Sequence, residues 1–279
     1  MPIHDQSYRH YAGVKAPPGR SWTVIAWAGI MTTVRKRVFL AILFGGWVQF
    51  FGRAIGFYFS NTIQQLSVLS ASAETFRSFL EYQGFIVFVI TIYVGAGLIA
   101  QDRRANALQL YLSKPLLRSE YIVGKLSVLA AFLLLVTMVP ALMLVVVQIV
   151  IAGSFAFLKS NTFLIPAIVL ASLVQVLLAS VTMLALSSLS KSARFVAIMY
   201  AGVLFFTKAI FGVLYAITGT TVVAWVSPGE NLAQVVDVIF RLKPRYATPW
   251  QVSMLVIIGL VVVSISILER RVRGVEVVT

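Results

Sequence analysis

The chain has 279 residues, of which 59% are hydrophobic and 11% charged, against about 25% charged residues in an average soluble domain. Its 23 basic residues against 9 acidic ones give a formal net charge of +14. That excess flanks apolar stretches, as Lys and Arg do around membrane spans, and no nucleic-acid partner is expected. With no cysteine, and with its only histidines, His4 and His10, in the polar N-terminal segment, the chain excludes thiol chemistry, disulfides and an intramembrane His metal site.

Residues 1–20 are polar, contain Pro and Gly, and lack an apolar core, so they read as a cytoplasmic tail and not as a signal peptide. Ser21–Thr33 is apolar, carries Trp22 and Trp27, and is followed by Arg35-Lys36-Arg37. This pattern predicts an interfacial elbow helix over 21–36, with an extension of the first span as the alternative. Six windows then meet the length of a membrane span: Val38–Phe59, Gly84–Ala100, Leu126–Ala152, Phe163–Leu186, Phe195–Ile217 and Trp250–Leu268. The expected fold is all-α and polytopic, one transmembrane domain over 37–268 with a short cytoplasmic tail over 269–279. An N-in, C-in arrangement puts 16 basic residues on the cytoplasmic side and 5 outside, as the positive-inside rule asks.

Two outer connections have helical periodicity. One runs through Leu66, Leu69, Ala73, Phe76 and Leu80. The other, between the last two spans, runs through Leu232, Val235, Val236, Ile239 and Phe240 after a Ser227-Pro228-Gly229 start. The second reads either as a helix in the outer leaflet or as a small cap on the spans. Pro140 should kink the third span.

The nine acids are Asp5, Glu74, Glu81, Asp102, Glu120, Glu230, Asp237, Glu269 and Glu276, all placed outside the six windows. Proton- or sodium-coupled transport needs an intramembrane carboxylate, and its absence argues against that class. No Walker A, G-x-S-x-G or H-E-x-x-H pattern occurs, so ATP, if used, is bound by another polypeptide. Arg53 and Lys208 are the two charges inside windows. Arg53 stands roughly 24 Å of helix rise past Arg37, and Lys208 roughly 21 Å past Arg194. Either they snorkel to the outer interface, or they face an internal cavity and attract an anion. Gly45, Gln49, Gly52 and Gly56 form a small or polar face on the first span, suited to close helix packing. Ser172, Gln175, Ala179 and Thr182 form a similar stripe on the fourth. Gln49 and Gln175 join Arg53 and Lys208 as candidate pathway residues.

The loop Gln101–Lys125 is long for a connection between spans. Asp102 can cap a helix reaching about Leu112, Pro115 ends it, and Ser119-Glu120 can cap the helix that re-enters. An apolar side at Leu108, Tyr111 and Leu112, flanked by Arg103, Arg104 and Lys114, suggests a docking surface; the alternative is a helix flat on lipid. The run Gly95-Ala96-Gly97-Leu98-Ile99-Ala100-Gln101-Asp102-Arg103-Arg104, followed by Leu108-Gln109-Leu110-Tyr111-Leu112-Ser113-Lys114-Pro115, Arg118-Ser119-Glu120-Tyr121 and Gly124-Lys125, resembles the second-span exit and re-entry of type-2 ABC exporter permeases. The resemblance implies a permease subunit in a prokaryotic plasma (inner) membrane. It implies two copies or paralogues that form the pathway, and separate ABC ATP-binding subunits that hold ATP and magnesium. The segment with Asp102, Arg103, Arg104, Leu108, Tyr111, Leu112, Lys114 and Pro115 would be the coupling helix. An energy-independent channel and a membrane scaffold are the alternatives from other classes.

Overall fold

A computed structural model describes residues 21–62, 71–106 and 117–272. Among them, six long helical segments are long and apolar enough to cross a membrane. They alternate between two ends of a bundle. One end gathers Arg35, Lys36, Arg37, Arg103, Arg104, Arg118, Lys125, Lys191, Arg194, Arg270 and Arg271 and is here the basic end; the other is the far end.

Helix α1 (Ser21–Val34) stops where the chain turns at Arg35 and Lys36, and α2 (Arg37–Thr62) is the first long helix. The elbow is therefore a helix of its own. It lies on the third span. A Cβ added to Gly124 would stand 2.9 Å from Ile25 and 3.0 Å from the Trp22 carbonyl oxygen, and one on Gly29 would stand 2.6 Å from Val128. Small residues at both positions let the two backbones approach closely.

The second long segment starts earlier than its apolar window. Helix α3 (Ala73–Ile90) leads through a π turn over Thr91–Gly95 and a non-helical step into α4 (Ala100–Arg104). Ser72 caps α3 by accepting from the Thr75 amide at 3.2 Å. Ala73, Phe76 and Leu80, expected on a separate outer element, are the far-end turns of this span, and Phe76 and Leu80 are buried. Leu66 and Leu69 lie outside the described residues. The step after the π turn frees backbone groups, and Ser187 takes them. Its Oγ donates to Ala96 O at 2.9 Å and accepts from the Ile99 and Ala100 amides at 3.1 and 3.0 Å.

The third span breaks as Pro140 requires. Helix α5 (Arg118–Val136) and α6 (Met138–Ala152) meet at Thr137, whose φ/ψ of −107/−71° departs from ideal helical values. Proline cannot donate to the carbonyl four residues back, which is Val136. The Gln83 side chain fills that vacancy, donating to Val136 O at 2.6 Å and also to Gly46 O at 2.7 Å. One fully buried amide thus joins spans one, two and three.

After α7 (Ala156–Ser160), α8 (Leu164–Leu189) is the central span and α9 (Ala193–Thr218) a peripheral one. Their most apolar windows are 61% and 11% buried. Small residues explain the contrast, because Ala167, Ala171, Ser172, Ser180, Ala185, Ser187 and Ser188 line α8 and are buried. A 3₁₀ turn (Thr221–Val226) and α10 (Pro228–Ile239) follow, then α11 (Trp250–Arg271). Helix α10 buries Val235 and Val236 and also Glu230, Asn231, Gln234 and Asp237. Both its faces are covered, so it caps the spans and does not float in a leaflet.

Candidate functional site

Two places in the bundle concentrate polar chemistry. The first is at the basic end, where the ends of spans two, three and four are tied together. Asp102, within the first turn of α4, accepts the Tyr121 hydroxyl at 2.8 Å and pairs with the Lys125 ammonium at 2.7 Å. Arg103 donates to the Ser188 carbonyl of α8. Asp102 was expected to cap a helix; its carboxylate instead crosses to α5, and α4 closes at Arg104, with Asn106 at a positive φ of 52°. The cap of the re-entering helix lies two residues before the expected Ser119: it is Leu117, whose amide donates to Glu120 Oε2 at 3.2 Å. Arg104 faces a basic recess with Lys191 and Arg194. Leu108, Tyr111, Leu112, Lys114 and Pro115 lie outside the described residues.

The second place is at the far end. Arg245, on the loop before α11, makes a fork to Asp237 (Nε–Oδ2 2.7 Å, Nη2–Oδ1 2.9 Å) and another to Glu81 (2.8 and 3.1 Å). Arg77 adds contacts to Glu81 and, at 3.3 Å, to Asp237. Planar guanidinium matches carboxylate in this geometry. The hydrogen bonds to Asp237 push the Arg245 pKa above its already high ordinary value, against burial, and Glu81 adds to the shift. Tyr246 donates to Glu230, and burial first, then that carboxylate, raises its phenol pKa. Gln234 fixes the same loop through Tyr246 and Thr248. Span two, α10 and the loop before span six are thereby clamped.

Beneath the clamp, a cavity of about 450 Å³ opens between α3, α8, α9 and α10. Its walls are mostly apolar, with Arg77, Glu81, Glu230, Lys208 and Arg245 around one part and Gln175 in the wall. Of the candidate pathway residues, the structure brings Lys208 and Gln175 to this cavity. It places Arg53 elsewhere: its guanidinium donates to Ser78 Oγ at 3.2 Å and stands 6.0 Å from the Tyr82 ring centre. Gln49 is half-buried on α2 and does not border the cavity. Gly45 and Gly52 face open space, whereas Gly46, one residue away, packs against Ile86 and Val136; Gly56 is half-buried.

Lys208 pairs with Glu230 of α10, a residue outside the six spans, at 3.7 Å. One expectation needs correction: the acids are not all outside the spans, since Glu81 lies within the second long segment, roughly 12 Å along it from Ala73. Hydropathy windows missed the clamp because its charges lowered the score of the stretch that carries them. The i, i+3, i+7 arrangement of Glu74, Arg77 and Glu81, with pairs three and four apart, was the available signal. Nothing local marks Asp237 or Arg245 as their partners.

Six helices long and apolar enough to cross a membrane define a polytopic membrane protein among the described residues. The sequence matches the ABC-2 family transporter protein family over residues 23–271, and the chain belongs to that family. It is therefore a multi-pass membrane protein, the membrane subunit of an ABC transporter without a catalytic domain, and membership implies association with an ABC ATPase. No curated protein matches it.

Proposed function

We propose that this chain is a permease of an ABC exporter, paired with a second copy or a paralogue, and driven through the loop between its second and third spans. ATP and magnesium are bound by the partner ATPase. The basic end is cytoplasmic, so both termini are cytoplasmic, in the plasma membrane of a prokaryote. The clustering of Lys and Arg at that end supports this orientation.

The tie at the base of the loop carries the proposal. Asp102 joins α4 to α5 through Tyr121 and Lys125, and Arg103 joins α4 to α8. A displacement of residues between 104 and 118 is handed to three spans at once, not absorbed at one helix end. Leu108, Tyr111 and Leu112 supply the apolar side that docks on the ATPase, with Arg103, Arg104 and Lys114 around it. ATP favours one arrangement of the spans, and the difference in affinity between arrangements is what drives transport. The second copy meets the first at α2 and α9. Both are mostly exposed, and Gly45, Gly52, Gly202 and Gly212 leave open surface on them where another helix can approach closely.

The test is purification of the tagged chain from its native membranes. An ABC ATPase with ATP hydrolysis should accompany it, and Leu108→Asp with Tyr111→Asp should strip that ATPase away. A chain that never carries an ATPase, or a double variant that keeps full coupled activity, refutes the proposal and leaves an energy-independent channel or a scaffold. Because the chain has no cysteine, single cysteines at Gly45 or Gly52 report the second copy directly. Cross-linked dimers are expected, and uniformly monomeric chain contradicts the pairing.

A further inference from the structure

We infer that the cavity between α3, α8, α9 and α10 is a binding site, contained within one copy of the chain, for a single-chain anionic amphiphile. Its volume of about 450 Å³ falls in the range of about 300–1,000 Å³ typical of small-molecule sites. Its inner wall is aromatic and aliphatic, formed by Phe85, Phe88, Tyr200, Leu204 and Phe205, and its charged groups gather toward the far end. This is the shape and polarity of an amphiphile site, with a body below and a head above.

The sign of the head follows from which charges are already committed. Glu81 holds both oxygens against the Arg245 fork and receives Arg77 as well. Glu230 accepts the Tyr246 hydroxyl. Lys208 is the less committed ion of the cavity: its side chain is 72% exposed, and its one ion pair among the described residues is a 3.7 Å contact to Glu230. An ammonium has three donors, so this one can receive an anion without releasing a buried partner.

A second group points the same way. Gln175 is only 9% exposed, borders the cavity, and its amide meets no hydrogen-bond partner among the described residues. The residue is largely covered, and its amide is open to a ligand in the cavity it lines. It stands beside Gly84, where an added Cβ would be 3.8 Å from its Nε2. Counted from the far ends of their helices, Gln175 lies roughly 16 Å deep and Lys208 roughly 15 Å. An ammonium and an amide at one level suit a carboxylate-like head, and the apolar walls below take its chain.

The proposal is tested without any ATPase. Diazirine-bearing palmitic acid is cross-linked to the full chain in phosphatidylcholine nanodiscs, and the labelled peptides are mapped by mass spectrometry. Saturable labelling of 85–88 and 200–205 is expected, displaced by palmitate and not by methyl palmitate. Lys208→Gln should weaken that displacement about tenfold, the scale of one lost charge-assisted hydrogen bond, while Lys208→Arg retains it. Gly84→Ala should leave labelling intact and Gly84→Phe should abolish it, each with a monodisperse protein. Equal displacement by acid and ester, an unchanged Lys208→Gln, or label spread over the exposed faces of α2 and α11 would overturn the assignment. So would labelling of the cavity by a photoactivatable phosphatidylglycerol but not by palmitic acid, because the occupant would then be a two-chain lipid.

Discussion

Single side chains settle most of the internal geometry. Gln83 closes a gap that Pro140 opens, and it does so from another span. Replacing it with Leu keeps the bulk but orphans the Val136 carbonyl, which should cost about 1–3 kcal/mol. A fall in apparent melting temperature in detergent checks this, and an unchanged midpoint contradicts it. Arg245 is the corresponding residue at the far end. Asp237, whose side chain is 2% exposed, loses its closer partner in Arg245→Gln and keeps only Arg77 at 3.3 Å. A loss of about 1.5–3 kcal/mol is expected, and Arg245→Lys should recover only part of it, because an ammonium cannot supply two forks. Pro140 and its kink were readable in the sequence. Gln83 was not, since a lone Gln near a span boundary carries no mark of the carbonyl it will meet 53 positions later.

Among elements, those whose information is local were legible and those defined by contact were not. The elbow helix, α10 with its Pro228 start, and the cores of all six spans follow from hydropathy and periodicity. Hydropathy places the far-end turns of span two in a loop because Glu74, Arg77 and Glu81 interrupt the apolar run, although Arg77 and Glu81 are satisfied by α10 and the loop before span six. The glycine face of the first span shows the same limit. Spacing drew attention to Gly45 and Gly52, while close packing chose Gly46, because only the neighbours decide which face turns inward. Close approach also fixes the elbow on span three. Gly124→Leu would place a side chain where Ile25 and the Trp22 carbonyl already stand. It should free α1, seen as rapid proteolysis after residue 34, whereas Gly259→Leu on α11, which meets open space, should leave the digestion pattern unchanged.

For the whole molecule, the described spans hold clamps and a cavity, and membership of the ABC-2 family implies association with an ABC ATPase. The chain is tied at both ends: at the basic end by Asp102, Arg103 and Ser187, at the far end by Arg77, Glu81, Asp237 and Arg245. The two ties share span two. On the proposed coupling, a push at the loop would reach the far-end clamp along span two, which contains a π turn and a non-helical step, the places where a helix gives most readily. The most direct test uses the cysteine-free background, with spin labels on cysteines at the exposed positions Ala105 and Lys191 and the distance between them measured in the ATPase-bound complex with and without ATP. ATP should shift the distance distribution, and Asp102→Ala should abolish the shift while the ATPase stays bound. An identical distribution with and without ATP, or an undiminished shift in Asp102→Ala, would contradict the claim that the base of this loop passes the ATPase's work to the spans.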